Sequence, residues 1–131
     1  MPLLDSLQSR LPDYPRALGM VYLEASSDRL VAEITVREDM SNGNGTIHGG
    51  ALMTFADTLG AVATYLNIPR DKGTTTLESK TNFIAPAPIG TRLIGEATPL
   101  HRCKRTQIWE TRISTAEGRL VAKVTQTQLV L

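Results

Sequence analysis

Asp57 is singled out by its surroundings. Leu52, Phe55, Ala56, Leu59, Val62, Ala63 and Leu66 recur at the spacing of one helical stripe, the pattern of a helix packed on a core. At about 100° per residue, Gly50, Thr54, Asp57, Ala61 and Thr64 fall on the opposite side, where Asp57 is the only charge. An aspartate outside the core is most often a solvated residue. Solvated helix faces, however, are usually built of lysine, glutamate and arginine. Glycine, alanine and threonine instead let a second chain or a ligand approach closely, and a carboxylate covered in that way is prepared to act as a base.

The start of the same helix offers a second chemical element. Amides of a first helical turn lack partners and carry partial positive charge, and Gly49 and Gly50 put no side chain in front of them. A carbonyl oxygen gaining negative charge could accept hydrogen bonds there, the stabilisation that acyl transfer needs. Glycines also serve simply to turn a loop into a helix, and by themselves they do not choose between the two. His48, next to them, belongs to a residue type more often structural than catalytic in such a place. The only histidines are His48 and His101, the only cysteine is Cys103, and no GxSxG occurs. A zinc centre and a serine nucleophile therefore lose support, and no metal is expected. Cys103, between Arg102 and Lys104, has no readable histidine–acid partners and reads as inert.

These groups must be held by elements that the pattern also shows. Residues 1–15 read as a leader, a short helix from Leu3 to Leu11 broken by Pro12 and Pro15. Leu30, Ala32, Ile34 and Val36 alternate with Val31, Glu33, Thr35 and Arg37 as in a strand with one buried face, after a turn at Ser26–Asp28 that closes a hairpin with a preceding strand. A glycine-rich loop, MSNGNGT, leads into the helix from about Gly49 to Leu66, and Pro69 closes it. Strand-like stretches follow at 74–84, 91–99, 106–115 and 119–130, separated by Pro86, Pro88 and Gly90, by the basic run around Lys104, and by Glu117–Gly118. Consecutive strands with short connections imply an antiparallel sheet, and one long helix must cover a face of it. The class is α+β, in a single domain over 1–131.

Composition sets outer bounds. With 131 residues, 41% hydrophobic and 21% charged, the chain is expected to fold around one core. Its net charge of +1 leaves no broad basic surface for nucleic acid. A single cysteine, no secretion-type leader and no bilayer-length apolar run point to the cytoplasm, away from membranes.

Asn42-Gly-Asn-Gly-Thr-Ile-His48-Gly49-Gly50, followed by Ala-Leu-Met-Thr-Phe-Ala-Asp57-Thr-Leu-Gly60, resembles the hotdog thioesterases of the PaaI type. The strand ending Phe83-Ile-Ala-Pro86-Ala is similar as well. Pro99-Leu-His101, TQIWE and GRLVA resemble the related thioesterases that proofread enterobactin synthesis. The resemblance implies a hotdog fold, a curved antiparallel sheet wrapped around one long central helix. It also implies a homodimer as the minimal active unit, often paired again as a homotetramer, with each site lying between subunits. The substrate would be an acyl-coenzyme A and no separate cofactor is implied.

Carried over by position, Asp57 would activate water or attack the thioester, the family usually having glutamate there, while the Gly49 amide polarises the carbonyl. Asn42 would orient water or thioester, His48 would hold the loop and sit near the substrate, and Thr76 would position water. Gly50, Met53, Ala61 and Phe83, with Tyr65, are candidates to line the acyl pocket, aromatic or medium-chain. His101, Arg102, Lys104 and Arg105 either bind the phosphates of coenzyme A or form a solvated turn, with Lys80 and Arg92 as further cations. Two alternatives share parts of this picture: a hotdog enoyl-coenzyme A hydratase or dehydratase, and a noncatalytic acyl-coenzyme A-binding protein.

Overall fold

A computed structural model describes residues 1–131. Two short helices, α1 (Pro2–Ser9) and α2 (Asp13–Ala17), precede strands β1 (Val21–Ala25) and β2 (Leu30–Thr35). A 3-10 turn at Glu38–Met40 leads to helix α3 (Gly49–Tyr65), then to β3 (Thr74–Phe83), β4 (Arg92–Arg102), β5 (Thr106–Thr115) and β6 (Leu120–Val130). The strands form one six-stranded sheet in the order β1-β2-β4-β5-β6-β3, with every neighbouring pair antiparallel. β3 thus leaves the helix and returns to the far edge of the sheet, beside β6.

The apolar stripe of α3 meets this sheet as its spacing requires. Leu52, Phe55, Ala56, Leu59 and Ala63 are buried, while Val62 and Leu66 pack at the margin of the core. Trp109, Ile113, Leu93, Ala97 and Val124 answer them from the strands. Close approach depends on Gly95 of β4, where a Cβ would lie 2.6 Å from Leu59 Cδ1 and 2.9 Å from the Phe55 ring. Any side chain there would lift the helix off the sheet.

Local chemistry ends the helix where the pattern stops. Nδ1 of His48 accepts from the Gly50 amide at 2.8 Å and caps the first turn. At the other end the Asn67 carboxamide donates to Ala63 O (2.9 Å) and to Ser27 O (2.8 Å), satisfying a terminal carbonyl and tying the helix to the β1–β2 turn. That turn is closed by Ser26 Oγ, which accepts from the amides of Asp28 and Arg29.

Three sequence expectations need correction. Pro15 does not break the leader but lies within α2, in the first turn, where its missing amide has no intrahelical partner to lose. β4 does not stop at 99: Pro99 pairs with Trp109 and His101 with Ile108, so the strand skips Leu100 as a bulge and runs on to Arg102. The side of α3 bearing Asp57 is not opposite the sheet either. Thr64 is fully buried and Asp57 half-buried, because the β6–β3 end of the sheet curls around the helix and meets that side too.

A second bulge, at Leu77, separates Thr76 (opposite Gln128) from Glu78 (opposite Thr127). It re-phases β3, so that Thr76 and Phe83 both turn toward α3.

The core predicts its own measurement. Phe55→Ala removes a fully buried ring and should lower unfolding free energy by about 3–5 kcal/mol in equilibrium denaturation; an unchanged midpoint would contradict this packing.

Candidate active site

Asp57 sits at the middle of α3, where its carboxylate meets side chains from the last two strands of the sheet. Oδ1 accepts from the Thr76 hydroxyl at 2.7 Å and from Gln126 Nε2 at 3.3 Å. No group of the chain bonds Oδ2, which leaves that oxygen for other chemistry. Gln126 lies flat against the helix because residue 60 is glycine; a Cβ there would fall 2.1 Å from Gln126 Cδ. Thr54, Thr58 and Thr64 return their hydroxyl protons to carbonyls one turn back, so these hydroxyls are satisfied within the helix.

The glycine end of α3 lies two turns away. At 1.5 Å per residue Gly49 is about 12 Å along the axis from Asp57. No acceptor within the chain takes the Gly49 amide, whereas the neighbouring Gly50 amide is capped by His48. The ring of Phe83 lies over Gly49, with Cε1 only 3.0 Å from where a Cβ would be. Gly49, Asn42, Thr46, Ile47, Leu52 and Phe83 border a cleft of about 360 Å3 that Ile84, Ala85 and Pro86 complete. Asn42 shapes this loop: its amide nitrogen donates to Thr46 Oγ1 (2.9 Å) and its carbonyl accepts from Asn44 N (2.8 Å). The wall mixes polar and apolar surface, with the Gly49 amide and the Asn42–Thr46 pair beside Ile47, Leu52, Phe83 and Ile84, a lining that offers an acyl group apolar contact and its carbonyl a donor.

The remaining candidates are dispersed. Gly50 and His48 border a different cleft, with Tyr14 and Arg37, on the other side of the helix start. Met53 and Tyr65 are exposed and Ala61 is half-buried along α3. The basic turn lies at the opposite end of the sheet from Gly49, since Arg102 pairs with Gln107 whereas Phe83 pairs with Ala122. There Arg102 is held by Ser27 O, Asp28 Oδ1 and Asn67 Oδ1 at 2.9, 2.8 and 3.2 Å and ties β4 to the end of α3. His101, Lys104 and Arg105 stay exposed, with no ion pair. Lys80 is exposed on β3, and Arg92 pairs with Glu33. No group of three His, Cys, Asp or Glu side chains converges as a metal site would require.

A family profile described as the thioesterase superfamily matches residues 44–122, the span from the Asn-Gly loop through the whole of α3 and on into β6. The chain belongs to this superfamily. As a thioester hydrolase it is 33% identical to the 1,4-dihydroxy-2-naphthoyl-CoA hydrolase of Escherichia coli over 114 residues, 87% of this chain and 83% of that one. It is 30% identical to the proofreading thioesterase EntH of Klebsiella pneumoniae over 103 residues, covering 78% and 74% of the two chains. The solved structure of the E. coli PaaI protein superposes on this thioesterase with a TM-score of 0.89 over 98% of this chain and 91% of that one, at 22% identity. The hotdog fold expected from the HGG-to-aspartate run is therefore the fold observed.

Gln126 and Gln128 were not anticipated. The signal was present: on β6 the residues at alternating positions 124, 126 and 128 share a face, and polar glutamine continues the register of buried Val124. Gly60 supplies the test of this packing. Gly60→Ala should cost about 1–3 kcal/mol through overpacking, and the cost should shrink in a Gln126→Ala background, as read by thermal or chemical denaturation of the four variants.

Proposed function

We propose that this thioesterase hydrolyses an aromatic acyl-coenzyme A to the free acid and coenzyme A at a site shared by two copies of the chain. The observation that carries the reading is the placement of Asp57 and Gly49. They are too far apart on one helix to touch the same carbonyl, yet β3, which bears the partner of each, is an open edge strand. A second copy pairing antiparallel along β3 about a two-fold axis near Ser79 and Lys80 would set the two α3 helices antiparallel and bring the Gly49 amide of one to the Asp57 carboxylate of the other.

In such a site each group has one task. The Gly49 amide donates to the thioester oxygen as it gains charge during attack. Asp57, clamped through Oδ1, uses Oδ2 to take a proton from the attacking water and later returns it to the leaving sulfur of coenzyme A. His48 holds the Gly50 amide by the cap, which leaves Gly49 as the free donor. Asn42 and Thr46 keep the loop open beside the cleft. The acyl group lies against Leu52, Phe83, Ile84 and Pro86, and the named substrate of the E. coli hydrolase supports an aromatic ring there. Exposed His101, Lys104 and Arg105 are the candidates for the nucleotide phosphates.

Two measurements test this. Asp57→Asn and Asp57→Ala should lower turnover in a thiol-release assay across aromatic, short-chain and medium-chain acyl-coenzyme A substrates by about 100-fold or more, without loss of the folded assembly; undiminished turnover would remove Asp57 from the chemistry. Gly49→Pro removes the amide at a helix start, and Gly49→Ala, which crowds the Phe83 ring with the same Cβ but keeps the amide, is the control that should retain more activity. An equimolar mixture of Gly49→Pro and Asp57→Asn subunits should regain about a quarter of wild-type activity from two inactive parents, because about half the dimers formed are mixed and each of those holds one intact shared site of its two. No recovery in verified mixed dimers would place both groups in the same chain's site.

A further inference from the structure

Behind Asp57 the hydrogen-bond bookkeeping does not close in the ordinary way. Thr76 Oγ1 lies 2.7 Å from Asp57 Oδ1 and also 2.7 Å from Gln128 Oε1. Both neighbours are acceptors, and a threonine hydroxyl has one proton. A turned-over carboxamide would bring nitrogen to Thr76, but the structure places the Gln128 nitrogen on the other side, against Thr74 Oγ1. Thr74 Oγ1 lies 2.9 Å from the carbonyl of Leu129 and 3.0 Å from Gln128 Nε2, so in this arrangement it donates to the first and accepts from the second. Gln126 Nε2, donating to Gln128 Oε1 at 2.8 Å, holds the same orientation. The oxygen of Gln128 therefore faces Thr76, in a fully buried position.

We propose that Gln128 is a positioning residue for hydrolysis: its carboxamide oxygen shares the single Thr76 proton with Asp57 and so keeps Thr76 from binding the carboxylate at full strength. The inference rests on Asp57 acting as the base. A hydrogen bond to an ionised carboxylate stabilises that form and makes it a poorer proton acceptor. With Gln128 Oε1 competing, the Thr76 hydroxyl can turn away as Asp57 takes up the proton of water, and no buried group is left stranded. Without Gln128 Oε1, the proton belongs to Asp57 alone, and the hydroxyl resists the protonation that turnover requires. Two strands are needed for this arrangement, because the Leu77 bulge places Thr76 opposite Gln128 and Gly60 makes room for Gln126.

The test is a double-mutant cycle on the assembled enzyme with its best acyl-coenzyme A substrate. Gln128→Met, similar in shape and without the acceptor, should lower kcat by about tenfold, the size of one hydrogen bond altered in the transition state, with KM changed by less than about twofold. In a Thr76→Val background, which has no proton to share, the same substitution should change kcat by less than about twofold. A general loosening of the core would lower kcat in both backgrounds, and that result, or an unchanged kcat in the first, overturns the inference. Thr74→Val, which releases Gln128 Nε2 from its partner, gives a second route should Gln128→Met fold poorly, and is expected to lower kcat in the same direction; an unchanged kcat there also counts against it. Asp57→Asn, run alongside, separates the two ideas: inactive Asp57→Asn with additive Gln128 effects sinks the role of Gln128 alone, whereas active Asp57→Asn sinks both.

Discussion

Everything at the site depends on how closely α3 lies against the sheet. A helix usually keeps the distance its side chains impose, but here glycine at 95 on the sheet and at 60 on the helix removes that spacing at two points. The first lets Phe55 and Leu59 seat on β4, and the second lets a glutamine from β6 lie along the helix backbone. Asp57 reaches Thr76 only because the helix is held at this height, so core packing and the placement of the carboxylate are one constraint.

That constraint divides the interior into two kinds of ground. Toward the start of α3 the contacts are apolar: Leu52, Phe55, Ile113, Leu93 and Ala122. Around its middle and end the sheet offers Gln107, Gln126 and Gln128, all buried, with Trp109 Nε1 donating to Gln107 Oε1 at 3.0 Å. Buried carboxamides cost free energy unless their donors and acceptors are met; Gln128 is bonded at both its oxygen and its nitrogen, whereas Gln126 Oε1 has no partner within the chain. The bonds that Gln128 and Thr76 make fix side-chain directions more narrowly than apolar contacts would, which is what a half-buried carboxylate needs from its support.

Much of this was readable from the residues in order. The glycine pair and Pro69 bracket α3 almost to the residue, and the alternation in the later strands locates all four, since helix stops and strand periods are local properties. Less local features were not readable. Pro99 looks like the end of a strand, yet β4 continues through a bulge that only the partner strand reveals. The side of the helix bearing Asp57 looked opposite the sheet because angle counting assumes a flat support, and a sheet that curls meets a helix on more than one side. The link from Asp57 to Gln128 joins residues 71 positions apart in sequence, and no pattern within either segment shows it. The pairing of Asp57 with Gly49, by contrast, was suggested by the resemblance, and the single chain contributes the open edge strand that makes it geometrically reasonable.

The one-residue bulge at Leu77 has a bearing on how such a strand can change over time. Thr76 and Phe83 are seven positions apart, an odd interval that in an unbroken strand would send them to opposite faces. The extra residue alone lets both look inward, one to the acid and one to the glycine. A deletion or insertion of a single codon between them would turn one half of this pair outward, while a change of two would preserve both faces. Inheritance along this stretch should therefore tolerate length variation in even steps and substitution at Leu77 itself far more readily than its loss.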